Sequence, residues 1–161
     1  MKKILPDKLE ELLLVFFLGM MTIVLGMQIV SRYIVGNSLS WSEELVRYLF
    51  IWSAFIGVPY CIKLGSSLKV LKFIEFLPMR LQKTILFIDR IILFLFFMLM
   101  LYFSIMVVRE SFVSGQTSPA LGVPIWLVYL SVVVGSFLSV CRVVEKIIES
   151  ANNVDSKADS F

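Results

Sequence analysis

The sequence predicts an all-α integral membrane protein: four transmembrane helices, both termini cytoplasmic, and an amphipathic interfacial helix between the second and third. Three observations lead there. Hydrophobic residues make up 59% of the 161 residues, and mean hydropathy is +0.92, which leaves too little polar surface for a soluble domain of this length. Four stretches are free of charge over lengths close to the about 20 helical residues that span hydrocarbon. Finally, twelve of the 15 Lys and Arg fall in the amino terminus, the middle loop and the tail, against Arg32, Arg47 and Arg109 on the opposite side. Basic residues gather on the cytoplasmic side, which sets the orientation.

The first span is expected at about residues 12–33, because residues 12–31 carry no charge. Lys2 and Lys3 ahead of an apolar run imitate a secretory signal. The run is too long for one, and no small-x-small cleavage site precedes Arg32, so a retained anchor is expected. Gly19 and Gly26 lie seven apart near one face, and packing within the four-helix unit is their expected use.

The second span, about 43–62, opens in the stretch LSWSEELVRYLFIW. Ser40-Trp41-Ser42-Glu43 fits a capping box, with Ser40 as N-cap and Glu43 at the third helical position. Two glutamates in a first turn suit the positive end of the helix dipole. Glu43 and Arg47 stand four apart in the favourable order for a same-face ion pair, and Trp41 and Tyr48 suit an interfacial aromatic belt. A well-built helix start explains all of this except Glu44. Arg47 also falls inside the span, where leaving it unpaired costs ~3 kcal/mol or more at depth. Arg32, Glu43, Glu44 and Arg47 therefore gather near one membrane face. Two uses fit: mutual pairing that fixes the first two helices, or docking of a partner. Gly57-Val58-Pro59 is expected to interrupt this span.

In LKVLKFIEFL, residues 68–77, Lys69, Lys72 and Glu75 recur every third position among apolar residues. That pattern predicts a surface-lying helix at about 67–77. Pro78 ends it. From Met79 a helix is expected to run to about Ser111, roughly 50 Å, with the third span at about 84–110. It exceeds a bilayer core and must tilt or begin along the interface. Asp89 and Arg90 are adjacent and so point in different directions. Either both snorkel at headgroup depth, or one pairs with another chain. Arg109 and Glu110 share a side with Trp41, Glu43 and Glu44, making that face a candidate surface for a soluble partner. The fourth span is expected at about 124–146. Residues 1–149 thus form one membrane domain, followed by a polar cytoplasmic tail at 150–161.

Several function classes are excluded. The chain has no histidine, which removes the usual general base, metal ligand and haem ligand. No nucleophile–base pair can be assembled, so no enzyme, cofactor or metal site is expected. Cys61 and Cys141 form no motif and read as small apolar filler. A net charge of +3 implies no nucleic-acid partner. Thr22, Gln28, Ser104, Ser131, Ser136 and Ser139 are the polar residues within spans 1, 3 and 4. The hydroxyls among them are expected to be satisfied by backbone or helix packing. No ionisable group lies near the centre of those spans, and no broken helices mirror one another, so no substrate site is expected within this chain.

The segment SRYIVGNSLSWSEELVRYLFIWSAFIGVPY resembles the signature of the small membrane subunit of tripartite ATP-independent periplasmic (TRAP) transporters. TSPALGVPIWLVYLSVVVGS, residues 117–136, is similar to that family's entry into its fourth helix. The resemblance covers nearly the whole chain up to about Glu149. It departs at Ser67-Leu68-Lys69-Val70, where family members often carry a histidine. The resemblance implies a DctQ-like, four-helix subunit in the bacterial cytoplasmic (inner) membrane. Its implied partners are a large membrane subunit, which it braces, and a periplasmic solute-binding protein that delivers an organic acid such as sialic acid or a C4-dicarboxylate. Two alternatives remain: a self-sufficient four-helix transporter, or an assembly subunit of another membrane complex.

Overall fold

A computed structural model describes residues 7–36, 39–64 and 79–158. Helix α1 covers Asp7–Val30 and widens into a π-helical turn over Ser31–Val35, closed by Gly36 at φ 70°. Glycine takes this left-handed cap without a Cβ penalty. Helix α2 covers Ser40–Leu64, α3 Met79–Ser114 and α4 Trp126–Ala158. Each is long and apolar enough to cross a membrane, with candidate spans Glu10–Ile34, Ser40–Leu64, Thr84–Ser114 and Trp126–Ile148. The long helix starts at Met79 as expected and ends three residues beyond Ser111, where Gly115 at φ 63° breaks it. Its 36 residues extend about 54 Å. The interfacial helix expected at 67–77, with Ser67 and Pro78, lies outside the described residues.

The helices form a row. α1 packs on α2, α2 on α4, and α4 on α3. In an 18-residue apolar stretch of each span, 39% of the residues are buried within the chain for α4, against 11% for α2 and 6% for α1 and α3. α4 is therefore the hub, and its sequence shows why. Ser131, Gly135 and Ser139 recur every fourth residue and form a thin stripe. Ser131 and Ser139 are 0% exposed. In lipid, helices gain from van der Waals contact at short range, which small residues permit.

The closest approach is at Gly135. A Cβ placed there meets Phe55 O at 2.5 Å and Phe55 Cβ at 2.8 Å. The partner position has its own cause. Pro59 has no N–H, so the Phe55 carbonyl four residues earlier loses its helical donor. The bare backbone of Gly135 lies against that carbonyl. The expected interruption at Gly57-Val58-Pro59 does not occur: α2 runs unbroken through Pro59, which is buried. A proline is tolerated in a membrane helix where a neighbouring helix accommodates the freed carbonyl.

The glycines of α1 correct another expectation. Gly19 and Gly26 are exposed, and nothing lies within 4 Å of a Cβ built on either, so they do not serve packing within the unit. α1 meets α2 through a different face. Four of the five expected hydroxyls donate to their own helices, and Ser136 is buried. Thr22 bonds the Leu18 carbonyl at 2.8 Å, Ser104 that of Leu101 at 3.0 Å, Ser131 that of Val128 at 2.6 Å, and Ser139 that of Gly135 at 2.7 Å.

Candidate functional site

At one end of the row α1 ends, α2 begins and the α3–α4 loop turns. The start of α2 ties these pieces together. Ser42 is buried, and its hydroxyl donates to the Leu39 carbonyl at 2.7 Å, closing the first turn. The two glutamates that follow point in different directions, as helix neighbours must. Glu43 Oε1 accepts from Gln28 Nε2 on α1 at 2.8 Å. Glu44 turns the other way. Its Oε2 accepts from the main-chain N–H groups of Ala120 and Leu121 at 3.0 and 3.1 Å, and its Oε1 from the Tyr48 hydroxyl at 2.6 Å. Hydrogen bonds to an ionised carboxylate are roughly twice as strong as neutral ones. The acid that a simple cap left unexplained is the link across 76 residues between the WSEELVRY and TSPALGVP segments.

The loop is built to present those two amides. Ser118 N donates to Val123 O at 2.8 Å, Gly122 N to Ser118 O at 2.9 Å, and Ile125 N to Gln116 O at 3.0 Å. Gly122 at φ 68° makes the tight return possible. Ser118 is buried beneath it and bonds the Leu121 amide from its hydroxyl oxygen at 3.3 Å.

Other expected contacts at this end are not made. Among the described residues Glu43 forms neither the capping box with Ser40 nor the ion pair with Arg47; its carboxylate accepts from Gln28 of α1 instead. Arg32 and Arg47 are exposed, with no hydrogen bond or ion pair to another described residue. Trp41 is 38% exposed. Arg109 and Glu110 are exposed at the far end of α3 and border a shallow recess with Met106 and Val113.

The opposite end carries a cluster that the sequence reading missed. Arg142 of α4 is 3% exposed and Glu10 of α1 is 1% exposed. Arg142 Nε donates to Glu10 Oε1 at 3.1 Å, its Nη2 lies 3.0 Å from the same oxygen, and its Nη1 donates to Glu145 Oε2 at 2.8 Å. Arg142 counts toward the basic tail in the sequence, yet it is a buried pin between α1 and α4. Its i,i+3 spacing to Glu145 was the available signal; its partner 132 positions away gave none.

Between these ends a cleft of about 800 Å³ opens, bordered by all four helices. Asp89 and Arg90 both line it, half-buried, because its mouth spans both of their directions. Cys61 also borders it and is exposed, so it is not interior filler; Cys141 is half-buried. Among the described residues no group of three His, Cys, Asp or Glu could hold a metal ion.

Residues 21–153 match the family described as "Tripartite ATP-independent periplasmic transporters, DctQ component". The chain is 25% identical over 135 residues to the ectoine TRAP transporter small permease protein TeaB of Halomonas elongata, covering 84% of this chain and 70% of that one. It is 27% identical over 149 residues to a putative TRAP transporter small permease protein of Haemophilus influenzae, covering 89% and 88%. It is 31% identical over 105 residues to the isethionate TRAP transporter permease protein DctMQ of Oleidesulfovibrio alaskensis, covering 65% of this chain and 16% of that longer protein.

Proposed function

Because the chain belongs to the DctQ component family of tripartite ATP-independent periplasmic transporters, we propose that it braces the large membrane subunit of a sodium-coupled, binding-protein-dependent uptake system for an organic acid. It is a multi-pass protein of the bacterial inner membrane and not an enzyme. The observation that carries the bracing role is the pair of intrachain locks at the two ends of the helix row. Glu43 and Glu44 tie α1 and the α3–α4 loop to α2, and Arg142 pins α4 to α1. A subunit that stays still while its neighbour moves needs such locks. It has no need of a polar path of its own, and the long uncharged middles of the four spans offer none. The match to a sixth of DctMQ supports a larger permease partner, since there the small-subunit region sits within one longer chain.

In the orientation set by the basic residues, the Glu44 end faces the periplasm and the Arg142 end the cytoplasm. Arg32, Trp41, Arg47, Arg109 and Glu110 then form the surface for the large subunit or the solute-binding protein, because Glu43 and Glu44 are already engaged inside the chain. The test is reconstitution. Vesicles holding this chain with its large partner and a binding protein should accumulate the organic acid on a sodium gradient. Vesicles holding this chain alone should not, and accumulation by them would overturn the proposal.

A further inference from the structure

Arg47 is exposed on a membrane-spanning helix, with no hydrogen bond or ion pair to another described residue. Its depth follows from two measures. The α2 span is Ser40–Leu64, and Arg47 stands five residues, about 7.5 Å, from the middle of it. α1 runs antiparallel to α2 in a register fixed at two places. Gln28 donates to Glu43 at 2.8 Å, and fourteen residues further along each helix Leu14 lies 3.8 Å from a Cβ built on Gly57. That register sets Arg47 level with Val24, two residues from the middle of the α1 span, Glu10–Ile34. Both measures place Arg47 at least halfway down a leaflet whose hydrocarbon is about 15 Å deep. A charge at that depth is costly and is ordinarily paired.

Arg47 also shares one side of α2 with Phe50, Ala54 and Cys61, all exposed. Arg47, Ala54 and Cys61 recur every seventh residue and so stand nearly in line. Ala54 and Cys61 line the cleft of about 800 Å³. The stripe from Cys61 up to Arg47 is about 21 Å of helix, long enough for a second helix to lie against.

We infer that this stripe receives a membrane helix of the large subunit, and that a carboxylate on that helix pairs with Arg47. The inference rests on the bracing role proposed above and assigns it to one face. The charge decides the occupant. A phospholipid carries its phosphate at headgroup depth, whereas a helix can present a carboxylate at any depth. The same chain cannot supply one at this level: residues 12–31, 91–108 and 124–141, in the middles of α1, α3 and α4, carry no charge. Glu43 and Glu44, nearer the rim, are engaged by Gln28 and by the α3–α4 loop. A second copy fails for the same reason, since one inserted in the same direction brings only another Arg47 to that depth.

The test is co-expression of the tagged chain with its large membrane subunit, followed by purification in mild detergent. The wild type should carry the large subunit with it. Arg47→Leu should lower that recovery roughly tenfold or more, because truncating one member of a buried ion pair strands the other. Arg47→Lys, which keeps the charge, should retain most of it. Ala54→Trp, which puts bulk on the stripe and leaves Arg47 in place, should lower recovery as well. Helical content by circular dichroism confirms that each variant has folded. A benzophenone attached to Cys61 in the Cys141→Ala background should cross-link to the large subunit in native membranes. Undiminished recovery with Arg47→Leu or Ala54→Trp, or cross-linking of Cys61 only to lipid or to a second copy, would overturn the inference and leave the bracing role standing. Failure of the wild type to carry the large subunit would overturn that role too.

Discussion

Replacing Gly135 by alanine tests the arrangement on which the helix row depends. The added methyl would meet Phe55 O at 2.5 Å, Phe55 Cβ at 2.8 Å and Phe55 C at 3.0 Å, where ordinary contact begins at 3.4 Å. Two of those three atoms are backbone and cannot swing aside, so α2 and α4 must part by roughly half an ångström or more. A radial gap of that size forfeits a quarter to a half of the dispersion energy of each contact involved, and overpacking of this kind costs about 1–3 kcal/mol. The crossing also holds Ser131 and Ser139 fully out of contact with lipid, so its loosening is felt along the whole stripe. Resistance to unfolding by a denaturing detergent, followed by circular dichroism, reads the cost. Gly135→Ala should unfold at clearly lower detergent fraction than wild type. Gly19→Ala and Gly26→Ala, with nothing within 4 Å of the new methyl, are the controls and should lose nothing. If Gly135→Ala matched those controls, the reasoning about this crossing would be wrong.

Arg142→Leu should destabilise the fold by about 3–5 kcal/mol, since it strands Glu10 as a buried uncompensated charge, whereas Glu10→Leu/Arg142→Leu should recover most of that loss. The same detergent titration separates the two. Glu44→Ala should speed hydrogen exchange at the Ala120 and Leu121 amides, and Glu44→Gln should do so less, because an amide oxygen still accepts without charge assistance. Arg109→Glu should weaken solute uptake while the membrane complex still co-purifies. Unaltered uptake would remove that arginine from the proposed docking surface.

The spans were legible in the sequence because crossing hydrocarbon imposes a length and an apolar composition that no tertiary contact can override. The fate of the hydroxyls was legible for the same reason: a serine in lipid has its own backbone within reach. Long-range pairings were not. Nothing near Glu44 in sequence marks the Ala120 and Leu121 amides as its partners, and a capping box explained Glu43 well enough to hide its bond to Gln28. Pro59 could be read as a breaker, but the tolerance for it resides in Gly135 on another helix. Gly19 and Gly26 were the more conspicuous pair, yet spacing shows only that a helix has a notch, and not whether anything enters it. For Arg142, flanking position suggested a solvated tail residue, while the fold sets Glu10 of α1 and Glu145 of its own helix against it as counter-charges.

The reach of Glu44 has a consequence for how the protein is made. Its two amide donors are synthesised 76 and 77 residues after it. At roughly 5–20 residues per second, that is a wait of about 4–15 s between translation of the acid and of its partners. During this interval the second helix enters the bilayer with Tyr48 bonded to one oxygen of that carboxylate and the other unanswered, where water must serve as a stand-in. The final helix then finds its entry point already marked by a negative charge. Biogenesis of this subunit is therefore a closing operation, in which the last segment inserted completes a joint prepared by the second.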